Sequence, residues 1–222
     1  MGFVSMTTFA ARRRMMVDTQ VRPSDVTKFP IIEAMLRVPR ELYVPESQKE
    51  AAYVGENIDL GGGRVVLEPR TLAKILDILE IAPHEVALDI GPAFGYSAAI
   101  LAQLCDAVVA VEEDPVMAAE AQQTLLAEDI NNAAVIEGPL AQGAAKHGPY
   151  DIIVVEGAVE MVPQEVLDQL KDGGRIACVF QEGALGVVRI GHMAGGIVSW
   201  RFAFNAGAPV LQGFKAHKSF AL

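Results

Sequence analysis

Ala87-Leu88-Asp89-Ile90-Gly91-Pro92-Ala93-Phe94-Gly95-Tyr96 is an aliphatic run that ends in an acid, turns on two glycines and runs into helix-forming residues. That order reads as strand, tight turn and helix. Working outward, the spacing predicts a strand over Glu85–Ile90, a helix over Tyr96–Leu104, a strand over Ala107–Glu112 and a helix over Pro115–Glu128. Further strands follow at Ala133–Glu137 and Tyr150–Val155, the latter apolar on both faces as a central strand must be. A helix between Pro163 and Lys171, stopped at Gly173-Gly174, leads to a strand at Arg175–Phe180. This alternation builds βαβ units and a parallel sheet. The tail departs from it: Ala184–Ile190 and Ile197–Phe204, separated by a glycine-rich turn, read as an antiparallel hairpin.

Residues 1–80 lack the rhythm and read as a helical extension, with helices around Phe9–Val21, Ser24–Arg37 and Ser47–Val54. Pro30 interrupts the second, and Gly61-Gly62-Gly63 marks a loop before a helix at Pro69–Glu80. The extension is expected to pack on a sheet domain spanning residues 81–222 and to shape the substrate side of a pocket at the carboxyl ends of the strands.

With 222 residues, 51% of them hydrophobic and 21% charged, the chain has material for an ample core. Its 28 acidic against 18 basic residues give a net charge of -10, which repels phosphate backbones and anionic lipid headgroups, so neither nucleic acid nor a membrane is an expected partner. Cys105 and Cys178 sit in apolar sequence and suit buried reduced thiols; no metal site is signalled. No apolar run is long enough for a membrane span, and the start lacks a signal peptide's apolar stretch, so a cytoplasmic location is expected. Arg12-Arg13-Arg14 reads as a solvated helix face, and His84, His147, His192 and His217 as ordinary surface residues. The apolar tail residues Val210, Leu211, Phe214, Phe220 and Leu222 could pack on their own chain or on a neighbour, which leaves the oligomeric state open.

The chemistry concentrates at the turn. Glycines at 91 and 95 let the backbone approach a ligand, and Glu112, ending the next strand, can accept hydrogen bonds from both hydroxyls of a ribose. A nicotinamide fingerprint asks for G-x-G-x-x-G, but the matching positions are Gly91, Ala93 and Tyr96, so a pyrophosphate would be poorly cradled. S-adenosylmethionine carries no phosphate and needs close backbone approach, a carboxylate near its amino group and another on its ribose; Asp89, Gly91, Gly95 and Glu112 can supply these, with Pro92, Ala93 and Glu113 beside them.

At this point the sequence resembles the protein-L-isoaspartate O-methyltransferases, within the class I S-adenosylmethionine-dependent methyltransferases, over roughly Met16 to Ile190. The resemblance rests on Val38-Pro39-Arg40-Glu41-Leu42-Tyr43-Val44-Pro45, on Ala52-Tyr53 with Gly61 and Gly63, on Leu88-Asp89-Ile90-Gly91 with Gly95-Tyr96, on Tyr150 to Val154, on Val162-Pro163 and on the block from Leu167 to Arg175. It implies a Rossmann-like, mostly parallel seven-stranded sheet with a C-terminal antiparallel hairpin, and methyl transfer to the side carboxylate of an isoaspartyl residue in damaged protein. Such a carboxylate is ionised at neutral pH, so positioning suffices and no general base is required.

The chain also departs from the family. Where the family carries Gln-Thr-Ile-Ser beside the reacting centre, Arg64-Val65-Val66-Leu67 stands here, and both hydroxyls are lost. Pro139 replaces an acid that reaches the adenine amino group, Ala93 replaces a glycine, and Glu156 either puts an acid near the cofactor's methyl end or points to solvent from the strand end. Arg64, Leu67 and Glu156 are therefore the substrate-side candidates. Arg64 either holds a carboxylate in the pocket or is solvated. Three functions follow: the family's own methyl transfer, transfer to another acceptor, or a non-catalytic binding or regulatory module.

Overall fold

The computed structural model describes residues 3–216. Seven strands form one sheet in the order β5-β4-β3-β6-β7-β8-β9: β3 (Val86–Ile90), β4 (Ala107–Glu112), β5 (Ala133–Glu137), β6 (Tyr150–Val159), β7 (Leu170–Glu182), β8 (Leu185–Ala194) and β9 (Ile197–Asn205). The pairings β3–β4, β3–β6, β4–β5 and β6–β7 are parallel, and β7–β8 and β8–β9 are antiparallel. The chain leaves β3 toward β4 and returns to β6 on the other side, so the strand order reverses between β3 and β6. Ligands of open α/β sheets bind outside the carboxyl ends of strands at such a reversal.

The elements form for local reasons. β3 and β6 are buried along nearly their whole length, as their aliphatic runs require. The helix α5 (Pro115–Ala127) starts on Asp114, whose carboxylate accepts from the amides of Val116 at 2.8 Å and Met117 at 3.0 Å, with Pro115 at the first helical position. The helix α3 (Pro69–Leu79) buries Leu72, Ile75, Leu76 and Leu79 against the sheet. Arg175 fastens its end, donating to the Leu79 carbonyl at 2.7 Å and pairing with Glu85 at 2.6 Å.

The N-terminal region differs from expectation in ways its residues explain. The first helix, α1, covers Phe3–Met16 and continues as a wider turn through Val17–Val21. The second, α2, spans Phe29–Arg37, with Pro30 in its first turn, where a missing amide costs nothing, so the proline starts the helix that it was expected to interrupt. Glu46–Ala51 is a tighter 3-10 turn. The region is also not wholly helical: β1 (Ile58–Gly61) and β2 (Arg64–Val66) form an antiparallel hairpin whose tip, Gly61 to Gly63, has three positive φ angles that disfavour side chains.

Arg12 and Arg13 are not simply solvated. Arg12 pairs with Glu50 at 2.7 Å, and Arg13 donates to Tyr53 at 3.0 Å and Glu41 at 3.1 Å, tying α1 to the following segment. The helix expected before β7 shrinks to α6 (Gln164–Leu167), because Leu170 already pairs with Tyr150 and the Gly173-Gly174 pair lies inside the strand.

Cys105 and Cys178 are buried free thiols. His84 and His147 are exposed and His192 is partly so. Leu211 and Phe214 pack on their own chain, while His217, Phe220 and Leu222 lie outside the described residues. No helix among the described residues is long and apolar enough to cross a membrane, and no cluster of three metal-ligating side chains occurs among them.

Candidate cofactor crevice

After β3 the chain turns sharply: Gly91 has φ +79° and its amide donates to the Val111 carbonyl at 2.9 Å, while Gly95, at φ +93°, begins α4 (Tyr96–Leu101). A side chain at Gly95 would come within 3.1 Å of the Ala121 Cβ, so helix packing also demands glycine there. Ala93 takes φ +53°, a conformation costing a residue with a side chain on the order of 1 kcal/mol. Its amide donates to Glu112 Oε2 at 2.9 Å, which holds it in place. Pro92 is buried between these residues.

Glu112 ends β4 and is fully buried. Its carboxylate accepts from Arg64 Nη1 at 2.5 Å and Nη2 at 2.6 Å, from the Ala93 amide and from the Asp114 amide at 3.0 Å. Four donors match the lone pairs a carboxylate offers. Arg64 Nη2 donates as well to the Gly91 carbonyl at 3.0 Å. Burial works against the charge on Arg64, but the hydrogen bonds and charge of Glu112 outweigh it and raise the guanidinium pKa. Arg64 thus holds a carboxylate, as one branch of the sequence reading had it, and that carboxylate is the chain's own. Glu113 sits at the rim, 3.9 Å from Arg64.

Aliphatic side chains complete the filling. A Cβ on Gly91 would lie 3.2 Å from Arg64 Nη2, 3.5 Å from Leu140 and 3.6 Å from Leu211. A Cβ on Gly157 would strike Leu211 at 2.6 Å. Leu211 is brought there by the tail, which lies back along β6: the Ala158 amide donates to Pro209 at 2.8 Å and the Leu211 amide to Ala158 at 2.9 Å.

The remaining candidates divide. Asp89 is fully buried; its Oδ2 accepts from Ser97 at 2.6 Å, while Oδ1 has no partner. Burial pushes its pKa up to about 7, with the Glu112 charge adding to the rise and Ser97 opposing it. Glu156 is buried beside it with Oε1 unpartnered, and burial together with the Asp89 charge holds its pKa well above the usual carboxylate range. Glu156 therefore does not point to solvent. Leu67 is fully buried in the core, and its backbone carbonyl accepts from Arg40 Nη2 at 2.8 Å. Pro139 is exposed, one residue beyond Gly138, whose amide donates to the Glu112 carbonyl.

Three participants escaped the sequence reading. Arg40 is fully buried, 4.6 Å from the Tyr96 ring centre, and bonds the Ala52 and Leu67 carbonyls. Its position in the Val38-Pro39-Arg40 block, between two prolines, was the available signal. Leu140 and Leu211 carried none beyond being apolar.

The cofactor that the sequence implies can be tested against these atoms. With Arg64 on both Glu112 oxygens and Leu211 over Gly157, the residues as they stand do not fit a nucleoside: while Arg64 is in place the ribose hydroxyls find no free acceptor on Glu112, and the turn's inner face is covered.

Parallel strands in this order, with a glycine turn after the central strand and an acid ending the next, define the Rossmann-like fold of the class I methyltransferases. Residues 12–195 match the family model for protein-L-isoaspartate(D-aspartate) O-methyltransferase, and the chain belongs to that family, one of S-adenosylmethionine-dependent methyltransferases. It is similar to a protein-L-isoaspartate O-methyltransferase of Synechococcus, 38% identical over 76% of this chain and 69% of that one, and to one of Methanoculleus marisnigri, 36% identical over 74% of each. Among solved structures, the fold is shared with a protein-L-isoaspartate O-methyltransferase at TM-score 0.79 and 21% identity, covering 91% of this chain and 67% of that one. A protein-L-isoaspartate O-methyltransferase of Plasmodium falciparum, solved in complex with S-adenosyl-L-homocysteine, aligns at TM-score 0.77 and 16% identity over 92% of this chain and 98% of that one.

Proposed function

We propose that the chain carries its family's reaction, transfer of a methyl group from S-adenosylmethionine to the side carboxylate of isoaspartyl residues in protein, acting in the cytoplasm. The observation that carries this is a family match from residue 12 to 195, within which Glu112 ends β4 beside the Gly91–Gly95 turn. On this reading Glu112, once Arg64 leaves it, would take the ribose hydroxyls, and Asp89 would answer the cofactor's amino group. Glu156 would stand toward its methyl end, Pro92, Ala93, Glu113 and Pro139 would border it, and residues 1–80 would shape the substrate side. The acceptor is already ionised at neutral pH, so the protein's task is alignment rather than proton removal. The test is radiolabelled methyl transfer to an isoaspartyl peptide, with the aspartyl isomer as control. Label in the first alone supports the proposal; none in either at millimolar cofactor contradicts it.

A second reading, a family member serving as a binding or regulatory module, is favoured by the saturation of Glu112 by Arg64. It predicts no methyl transfer and no uptake of cofactor, even when Arg64 is replaced.

A further inference from the structure

We infer that Arg64 is an internal latch on the cofactor seat: its guanidinium stands where the ribose hydroxyls would bind Glu112, so that the nucleoside enters only when Arg64 withdraws. The inference rests on the reading of Glu112 as the ribose acid.

Three observations carry it. The first is direct competition. Arg64 contributes two of the four donors on Glu112, and the other two come from backbone amides of the turn and of the α5 cap, which a ligand would leave in place. A ribose and Arg64 therefore exclude one another at the same two oxygens.

The second is the element that bears Arg64. It opens β2, a strand of three residues whose partner β1 has four, and their register is irregular between Asp59 and Gly61. The three glycines of the tip have open space where side chains would be. The strand itself is held in the main core by Val65 and Val66, so withdrawal is a movement of the Arg64 side chain and not of the hairpin. Arg64 Nε has no partner, which leaves the fork end of the side chain as its anchor.

The third is the unmet polar demand behind the latch. Asp89 Oδ1 and Glu156 Oε1 are buried and unpartnered on fully or nearly fully buried side chains. Buried carboxylate oxygens without donors are costly and rare. A ligand presenting an ammonium and a sulfonium, as S-adenosylmethionine does, supplies the positive charge these oxygens lack.

The experiment is calorimetric titration of S-adenosylhomocysteine into the full-length wild type, Arg64→Gln and Arg64→Lys, with a melting curve for each. Removing two charge-assisted competitors should tighten binding about 10- to 100-fold in Arg64→Gln. Arg64→Lys should fall between Arg64→Gln and wild type, because it keeps a cation near Glu112 but loses the two-pronged contact. If Arg64→Gln does not fold, Arg64→Lys carries the test. Equal or weaker binding in the folded variants overturns the latch. If wild type binds as tightly as the variants and methylates the isoaspartyl peptide, the latch alone fails. If the variants gain affinity but no enzyme form methylates, the latch stands and the transferase reading fails. If no form binds, both fall.

Discussion

Glu112 and Asp89 lie on adjacent strands at the same edge of the sheet, both fully buried, yet their circumstances are opposite. Glu112 has four donors, two of them from a cation. Asp89 has one hydroxyl and a bare oxygen, and burial lifts its pKa to about 7. Glu156 shares the condition of Asp89. One half of the crevice is thus satisfied from within the chain, and the other half holds more acceptors than the chain has donors for.

The sharpest way to break this comparison is Glu112→Ala. If the pair with Arg64 is closed and dry, the variant strands a buried guanidinium and should cost about 3 to 5 kcal/mol in denaturant unfolding. A loss under about 1 kcal/mol would mean that Arg64 reaches water freely and the seat already stands open.

Asp89→Asn probes the opposite member. The folded-state pKa of Asp89 lies above the value near 3.9 of an unfolded chain, so the folded protein holds the proton more tightly. Stability from this group is therefore fully present below about pH 4 and lost as pH rises toward 7. Asp89→Asn should remove this loss, raising stability at pH 7.5 relative to wild type by on the order of 2 to 4 kcal/mol and flattening the profile between pH 4.5 and 7. Superimposable wild-type and variant profiles would place Asp89 in contact with water.

The smallest effect calibrates the others. Glu182, the last residue of β7, and Arg189, within β8, form an ion pair with roughly two fifths of each side chain exposed. Glu182→Gln should shift stability by less than about 1 kcal/mol, and by less still in high salt. A larger shift would show that charge pairs far from the crevice weigh as much as those within it.

Much of this architecture could be read from local sequence. Strands β3 to β6 and the terminal hairpin follow from aliphatic runs punctuated by glycine, and the Gly91 and Gly95 turn follows from what such a turn requires of the backbone. The edges were harder. The runs around Ile58 and Val65 are too short to separate a hairpin from a loop, and Pro30 reads equally as a break or a start.

What lay beyond the sequence was occupancy. Glu112 could be recognised as a strand-end acid, and Arg64 as a cation able to hold a carboxylate. That they hold each other depends on how the hairpin packs on the sheet, a contact between elements far apart in the chain. Leu211 teaches the same lesson: an apolar tail residue shows its role only once the tail is seen to fold back along β6. Local patterns told which groups the crevice contains, and tertiary packing decided which of them fill it.

The most direct test of the account is a crystal structure of the wild-type protein grown with saturating S-adenosylhomocysteine. The account predicts ribose hydroxyls on Glu112, the Arg64 side chain withdrawn from it, and donors of the ligand near Asp89 and Glu156. A bound ligand beside a Glu112 still bridged by Arg64, or a ligand seated elsewhere, would contradict it.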